Sequence, residues 1–257
     1  MHNFVSFNHQ LLPAENAFLS ANSSAALYGK GVFTTVAIYN SKPFLWEKHW
    51  QRLTENSQKI GIDLSGFAEA TIRSSLLEIV DENKFIRGRA RITVFDESAS
   101  SVWQINPSSK TNLLIQTADF REPKNKLNLT VSPFRVNSTS PLVGVKSCNY
   151  LENILAFEDA KARGFDEAIR LNERGEIVSA CLANVFWKKN GAIYTPSLQT
   201  GCLNGTTRSF VLENFFVEEK KAELIELKEA NEIFLTSAGI GIVKIAKFNT
   251  DYEDSSM

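Results

Sequence analysis

The stretch that decides the fold runs from Val145 to Pro196 and reads VKSCNYLENILAFEDAKARGFDEAIRLNERGEIVSACLANVFWKKNGAIYTP. Its second residue, Lys146, directly follows the apolar segment LVGV (142–145), and a helical pattern follows over about residues 150–163. A strand pattern, EAIRLN, comes next, and after a polar turn a hairpin is closed by Asn190 and Gly191. The stretch therefore predicts strands covered by a helix, with one lysine where the helix begins.

Outward from that stretch, alternating apolar runs predict further strands. The N-terminal part contains the strand patterns NFVSFN, GVFTTVAIY, PFLW, RARITVF and NLLIQTA, and the second and third of these form a hairpin around residues 40–42. Two helical patterns lie between them, over 47–62 and 65–83, and Ser65 is the expected N-cap of the second helix.

The polar stretch ADFREPKNK marks a boundary between two domains. We expect a small N-terminal α/β domain over residues 1–119, a linker over 120–126 and a C-terminal domain over 127–257. Strands dominate both parts, and we expect the helices to pack on the sheets. The expected fold class is therefore α+β (α/β) with mostly antiparallel sheets.

Composition excludes several classes of function. Among 257 residues, 28 basic side chains against 29 acidic ones give a net charge of -1, so no field attracts nucleic acid or an anionic membrane. No apolar run is long enough to span a membrane, and the first residues do not resemble a signal peptide. We expect a cytoplasmic protein with a small-molecule ligand. The three cysteines and three histidines show no metal-ligand spacing, so no metal site is expected.

Lys146 has unusual neighbours for a lysine. Apolar residues precede it, and none of the next five residues carries a carboxylate. An ammonium in such surroundings loses hydration, its pKa falls, and the neutral amine can act as a nucleophile that forms a Schiff base. The alternative is that Lys146 is a structural or exposed lysine, as most lysines are.

Other segments could bind an anion. Thr206, Thr207 and Arg208 follow Gly205 at a helix start, where backbone N–H groups and the helix dipole favour a phosphate. A second group of N–H donors is expected around Ser237, and Arg52 supplies a guanidinium. Taken singly, each has an ordinary alternative: a capping threonine, a turn at a strand end, or a surface arginine.

Taken in order, these segments resemble one family. The blocks YGKGVFTTVAIYNSKPFLWEKHWQRL, the stretch 145–196, GCLNGTTRSFVLE and IFLTSAGIGIV look like the signature blocks of the class IV (fold type IV) pyridoxal-phosphate enzymes. That family includes branched-chain and D-amino-acid transaminases and aminodeoxychorismate lyase. The resemblance implies pyridoxal 5'-phosphate as cofactor, an active site between two domains, an amine substrate and a homodimer, with the Schiff-base lysine in the C-terminal domain.

The resemblance also assigns roles to residues. Lys146 matches the lysine that bonds to the cofactor and moves protons at the substrate carbon, and Tyr150 matches the tyrosine that hydrogen-bonds the pyridoxal hydroxyl. The phosphate would be bound by Arg52, Thr206, Thr207, Ser237 and Ala238. Residues from the N-terminal loops of a partner subunit would complete the substrate pocket, and the candidates from this chain are Tyr28, Phe33, Thr34 and Arg91. Arg91 suits a substrate carboxylate, although it could equally face solvent.

Three positions depart from the family pattern. Ser179 stands where a glutamate normally faces the pyridine nitrogen, so the cofactor at this site would be a weaker electron sink. Ala238 replaces a residue that usually carries a hydroxyl, and Asp96 replaces a frequent arginine.

The departure at Ser179 favours elimination over transamination, because a leaving group carries away the developing charge. The run FTT at 33–35 and the block ACLANVFW at 180–187 also resemble aminodeoxychorismate lyases. The sequence hence favours a lyase that makes 4-aminobenzoate and pyruvate. The alternatives are an aminotransferase acting on D- or branched-chain amino acids and a non-catalytic relative that binds the cofactor.

Overall fold

The computed structural model describes residues 1–99, 110–120, 122 and 124–250. The chain divides into two compact units. The first unit contains Met1–Arg121 and Val145–Asn149, and the second contains Glu122–Gly144 and Tyr150–Met257.

The first unit is built on an antiparallel sheet of six strands in the order β2-β1-β6-β5-β3-β4. Its strands are β1 (Phe4–Phe7), β2 (Gln10–Pro13), β3 (Gly31–Tyr39), β4 (Lys42–Pro43), β5 (Gly88–Asp96) and β6 (Thr111–Asp119). Its helices are a 3-10 turn at Ala14–Asn16, α1 (Ser24–Tyr28), α2 (Trp46–Lys59) and α3 (Glu69–Glu82).

Local sequence explains most of these elements. The turn between β3 and β4 has positive φ at Asn40 and Ser41, which matches the two-residue loop that the twist of a hairpin requires, so the hairpin itself is confirmed. Its predicted second strand, PFLW, was wrong beyond Pro43, because Phe44 and Leu45 form a turn and Trp46 begins α2. Buried Leu53 on α2 and Ile72 and Leu76 on α3 belong to the same core as the sheet. These apolar stripes hold the two helices on the sheet.

The predicted N-cap of α3 was wrong. The helix begins at Glu69, after Ala68, and Ser65 lies in the preceding turn. There its backbone N–H and its hydroxyl both donate to the carboxylate of Asp63. This local turn removes Ser65 from the helix, as short polar side chains often do.

The segment that carries Lys146 pairs with the first unit. The Phe33 N–H donates to the Lys146 carbonyl at 2.9 Å, and the Cys148 N–H donates to the Gly31 carbonyl at 2.8 Å. These bonds extend the sheet beside β3, with an isolated bridge between Val32 and Ser147. The domain boundaries expected from the sequence stay a prediction, but these bonds group Val145–Asn149 with the N-terminal residues.

The second unit has an eight-stranded mixed sheet in the order β12-β11-β10-β13-β14-β7-β8-β9. Its strands are β7 (Lys126–Val131), β8 (Glu167–Leu171), β9 (Ile177–Ala180), β10 (Asn184–Lys189), β11 (Ala192–Pro196), β12 (Val217–Lys220), β13 (Glu232–Ser237) and β14 (Gly241–Phe248). Its helices are α4 (Leu151–Ala162), a 3-10 turn at Leu198–Thr200, α5 (Thr206–Asn214) and α6 (Ile225–Lys228). Most pairings are antiparallel, whereas β11 with β12, β7 with β14, and β7 with β8 are parallel.

The expected α+β fold class is confirmed. The predicted hairpin of β10 and β11 turns at Asn190 and Gly191, both with positive φ. In β8 every residue is buried, whereas its neighbour β9 includes the half-buried Ser179. Across the described ranges, no helix is both long and apolar enough to cross a membrane. The same ranges contain no group of three or more His, Cys, Asp or Glu residues placed to hold a metal ion.

Candidate active site

The backbone of Lys146 is fixed on both sides within the first unit. Its carbonyl accepts the bond from Phe33, and its own N–H donates to Oδ1 of Asn56 at 2.7 Å. Asn56 is buried on α2, one turn after Arg52. The helix and β3 together hold the lysine at a defined place.

Lys146 has a strongly lowered pKa of about 7. The largest cause is the removal of its ammonium from water, although part of the residue's surface remains accessible. The positive charges of Arg52 and Arg91 lower the pKa further. The lowered pKa expected from the apolar neighbours in the sequence is therefore found, and a neutral amine is available near pH 7.

Arg52 is the buried cation of this group. Its Nη2 donates to Oγ1 of Thr34 at 2.8 Å, and the same hydroxyl lies 2.6 Å from Nδ1 of His49. Burial, followed by the charges of Arg52 and Lys146, holds the pKa of His49 well below its usual value. Neutral His49 thus adds no third full charge beside the arginine and the lysine.

Phe33 lies between two cations of the site. The Cζ atom of Arg91 is 3.6 Å from the centre of the Phe33 ring, and Nζ of Lys146 is 4.5 Å from it. The negative face of an aromatic ring attracts both groups. Arg91 is exposed, and its Nε donates to Oγ1 of Thr93. Phe33 and Arg91, both expected to contact substrate, are accordingly found beside Lys146.

The other two candidates for substrate contact have different surroundings. Thr34 is 1% exposed, and its hydroxyl contacts Arg52 and His49. Tyr28 ends α1 and is 44% exposed. A role in substrate binding stays a prediction for both residues.

In the second unit, two residues expected to bind phosphate lie at a helix start. Thr206 and Thr207 are the first two residues of α5 and are buried, with Gly205 as N-cap. A Cβ at Gly205 would come within 2.1 Å of Oδ1 of Asn184, so no larger residue fits there without a shift of Asn184. Asn184 is itself held, because its Nδ2 donates to the Leu203 carbonyl at 2.8 Å. The packing keeps the backbone at the start of α5 close to β10.

The second expected phosphate loop follows β13. Ser237 ends the strand, and Ala238 opens the turn that leads to β14. Thr236, directly before them, is fully buried, and its hydroxyl has no hydrogen-bond partner in the described part of the chain.

Two more expected cofactor residues lie in the second unit. Tyr150 directly precedes α4 and is half-buried, and Ser179 lies on β9. In the antiparallel pairing of β8 with β9, Ser179 faces Arg170 across the strands. The roles of Tyr150 and Ser179 stay predictions.

Two further carboxylates, Glu176 directly before β9 and Asp96 at the end of β5, have partners of their own. Glu176 accepts hydrogen bonds from Arg174 and Asn172, which lower its pKa. Asp96 is buried, yet hydrogen bonds from Lys30 and Ser98 outweigh its burial and lower its pKa.

Sequence reasoning missed a buried carboxyl, Glu167, in the second unit. Its oxygens accept backbone N–H bonds from Ala168, Cys181 and Leu182, at 3.1, 2.9 and 2.9 Å. Burial still raises the pKa of Glu167 to about 7. Its signal in the sequence was one acidic residue beginning a strand that is otherwise largely apolar.

Asn56 and Arg170 were also missed. Asn56 is four residues after Arg52, on the same face of α2, which is a signal that helical spacing could have given. Arg170 sits within the strand pattern EAIRLN, where a charged residue between Ile169 and Leu171 was its signal.

Comparisons with known proteins agree with these observations. The sequence profile of the family described as Amino-transferase class IV matches residues 31–248. A D-alanine aminotransferase of Bacillus licheniformis is 29% identical over 251 residues, covering 95% of this chain and 88% of the relative. An aminodeoxychorismate lyase of Bacillus subtilis (strain 168) is 29% identical over 254 residues, covering 93% of this chain and 85% of the relative. The solved structure of a branched-chain aminotransferase from Thermoproteus uzoniensis with norvaline matches this chain with a TM-score of 0.90 at 26% identity. The match covers 97% of this chain and 88% of that structure's chain.

Proposed function

Because the chain belongs to the class IV aminotransferase family, we propose that it is a pyridoxal-phosphate-dependent lyase that converts 4-amino-4-deoxychorismate to 4-aminobenzoate and pyruvate, a step of folate biosynthesis. The enzyme class itself, aminotransferase or lyase, follows from the family and from its relatives. The preference for the lyase is carried by Ser179, a hydroxyl at the position where the family places a carboxylate.

The residues fit pyridoxal 5'-phosphate. An aldehyde needs a neutral amine, and Lys146 has a pKa of about 7. A phosphate needs cations and backbone donors. In this proposal Arg52 would supply the cation, and the first turn of α5 would supply backbone N–H groups. Residues of the second unit that would hold the cofactor are Tyr150, Ser179, Thr206, Thr207, Ser237 and Ala238.

When bound, the cofactor supplies an electrophilic aldehyde carbon and a ring that accepts electron density. The chain supplies the proton transfers. In the proposed reaction, Nζ of Lys146 removes the proton from the substrate carbon that bears the amine. The bond from the neighbouring carbon to the enolpyruvyl oxygen then breaks, and the oxygen leaves with the electron pair. The released group is an enolate, protonation of its terminal carbon gives pyruvate, and the six-membered ring becomes aromatic.

Lys146 can serve as base and then acid because its pKa lies near neutrality. Asn56 and Phe33 would hold its backbone during both transfers. Phe33 and Arg91 are proposed to line the substrate pocket, where the guanidinium of Arg91 would pair with a substrate carboxylate. Tyr28 and Thr34 complete the proposed set, and Thr34 would act by positioning Arg52.

The decisive experiment measures both products. Purified protein with pyridoxal 5'-phosphate is given aminodeoxychorismate made enzymatically, and 4-aminobenzoate and pyruvate are quantified. We expect equal amounts of the two, and no product from Lys146→Ala. Absence of both products, from protein in which borohydride traps the cofactor on Lys146, would reject the lyase.

The second candidate is an aminotransferase, favoured by 29% identity to a D-alanine aminotransferase over nearly the whole chain. The test supplies D-alanine or a branched-chain amino acid with 2-oxoglutarate and detects glutamate. Glutamate formation without 4-aminobenzoate would assign this activity instead. Cofactor trapping without any product would identify a non-catalytic relative.

The proposal includes a homodimer in the cytoplasm, as the family resemblance implies. Sedimentation analysis of the purified protein tests the dimer, and fractionation of the source cells tests the compartment.

A further inference from the structure

Arg170 is a buried cation directly across the strands from Ser179. The pairing of β8 with β9 is antiparallel, with Arg170 opposite Ser179 in register. Residues paired in this way point to the same face of the sheet, with their Cβ atoms about 4.5–5.5 Å apart. Arg170 is 3% exposed. Hence the face that carries Ser179 also carries a guanidinium.

The partners of Arg170 neutralise it only weakly. Its Nη2 donates to the carbonyl of Arg135 at 3.3 Å and lies 3.5 Å from Oε2 of Glu152. The side chain of Glu152 is 79% exposed, so water screens that ion pair. The Nε atom of Arg170 is buried and has no hydrogen-bond partner in the described part of the chain. One N–H of this buried cation therefore lacks an acceptor among the described residues.

A cation and a carboxylate have opposite effects on a nearby pyridine nitrogen. A carboxylate favours the protonated ring, whereas a cation disfavours it. A guanidinium stays charged at every pH that a protein survives, so its effect does not titrate away. A guanidinium several ångströms from a pyridine nitrogen in a partly buried site would lower the pKa of that nitrogen by on the order of one to two units.

We propose that Arg170, acting with Ser179, keeps the ring nitrogen of the bound cofactor unprotonated. This inference rests on the proposed function, because it takes Ser179 as the residue that faces that nitrogen. Arg170 is a positioning residue: it fixes the electrostatic field at the ring and does not touch the reacting carbon. A neutral ring accepts less electron density, so the site favours substrates with a leaving group beside the amine-bearing carbon.

The test reads the protonation of the ring directly. The protein is loaded with pyridoxal 5'-phosphate isotopically labelled at the ring nitrogen, and the nitrogen NMR shift is followed with pH. The samples are the unchanged protein, Arg170→Leu, Ser179→Glu and the double variant. Arg170→Gln, which keeps the polar contacts without the charge, replaces Arg170→Leu if the leucine variant does not fold, and Arg170→Lys keeps the cation as the matched control.

We expect the unchanged protein and Arg170→Lys to show an unprotonated nitrogen around neutral pH. Arg170→Leu should raise the pKa of the nitrogen by on the order of one to two units. In Ser179→Glu the new carboxylate pairs with Arg170, and the nitrogen stays largely unprotonated. In the double variant the carboxylate has no such partner, and the nitrogen becomes protonated.

Three results would overturn the inference: a protonated nitrogen in the unchanged protein, no shift in Arg170→Leu and Arg170→Gln, or equal protonation in Ser179→Glu and the double variant. If any of these results is found while the protein still forms 4-aminobenzoate, the role of Arg170 is refuted and the proposed lyase activity is retained. If borohydride traps no cofactor on Lys146, the proposed function and the inference fail together.

Discussion

Replacing Arg91 with leucine should raise the pKa of Lys146 in the cofactor-free protein. Burial and two positive charges hold that pKa at about 7, and Arg91 is one of the two. The substitution removes the charge and leaves the other cation, Arg52, and its bond to Thr34 in place.

The size of the change follows from the geometry around Phe33. Arg91 Cζ and Lys146 Nζ lie 3.6 and 4.5 Å from the same ring centre, so the two groups are at most about 8 Å apart. At an effective dielectric constant of about 20, two unit charges at about 8 Å repel by roughly 2 kcal/mol. Because Arg91 is exposed, screening lowers this to between roughly 0.5 and 2 kcal/mol, or a rise of about 0.4 to 1.5 pKa units.

The assay is the pH dependence of acylation at Lys146. Cofactor-free protein is labelled briefly with an amine-specific reagent across a range of pH, and the modified peptide is quantified by mass spectrometry. The exposed Lys126, measured in the same digests, corrects for reagent loss. Arg73→Leu, which removes an exposed arginine from α3, is the matched control for a change in net charge alone.

A labelling midpoint near pH 7 is expected for the unchanged protein and for Arg73→Leu, with a higher midpoint for Arg91→Leu. A midpoint above about pH 9 in the unchanged protein would refute the reasoning, because the ammonium would then be well hydrated. An unchanged or lower midpoint in Arg91→Leu would show that Arg91 exerts no repulsion on the lysine.

Three further outcomes are expected. The pKa of Glu167, raised from 4.5 to about 7, gives stability that is present below about pH 4.5 and is lost as pH rises through about 7. The variant Glu167→Gln lacks this loss, so its free energy of unfolding, measured in urea, should rise relative to that of the unchanged protein between about pH 5 and 8, by up to about 3 kcal/mol. A difference that stays constant with pH would contradict this. Gly205→Ala should weaken cofactor binding, measured by equilibrium dialysis, because its Cβ meets Asn184 Oδ1 at 2.1 Å; equal affinity would show that α5 adjusts freely. Thr34→Val removes the hydroxyl that accepts from buried Arg52, so thermal unfolding should show a loss of about 1–3 kcal/mol, and no loss would mean that Arg52 finds another acceptor.

The sequence by itself determined the family, the fold class and the order of the elements. Hairpin turns at Asn40 and Asn190 follow from residues that tolerate positive φ, and α2 follows from helical spacing of apolar residues. These signals are local, since turn chemistry and periodicity act over a few neighbouring residues. The low pKa of Lys146 was also foreseeable, because its apolar neighbours are next to it in the chain.

Tertiary structure decided what surrounds that lysine. Asn56 is 90 residues from Lys146 in the sequence, yet its side chain accepts the backbone N–H of Lys146. No local sequence pattern connects the two residues. The pairing of Arg170 with Ser179 depends on the register of two strands, and the buried state of Glu167 depends on backbone N–H groups of a later turn. Charge–charge energies and desolvation depend on distances in space, which separation along the chain does not fix. The sequence thus identified the reactive amine, whereas its electrostatic surroundings follow only from the folded chain.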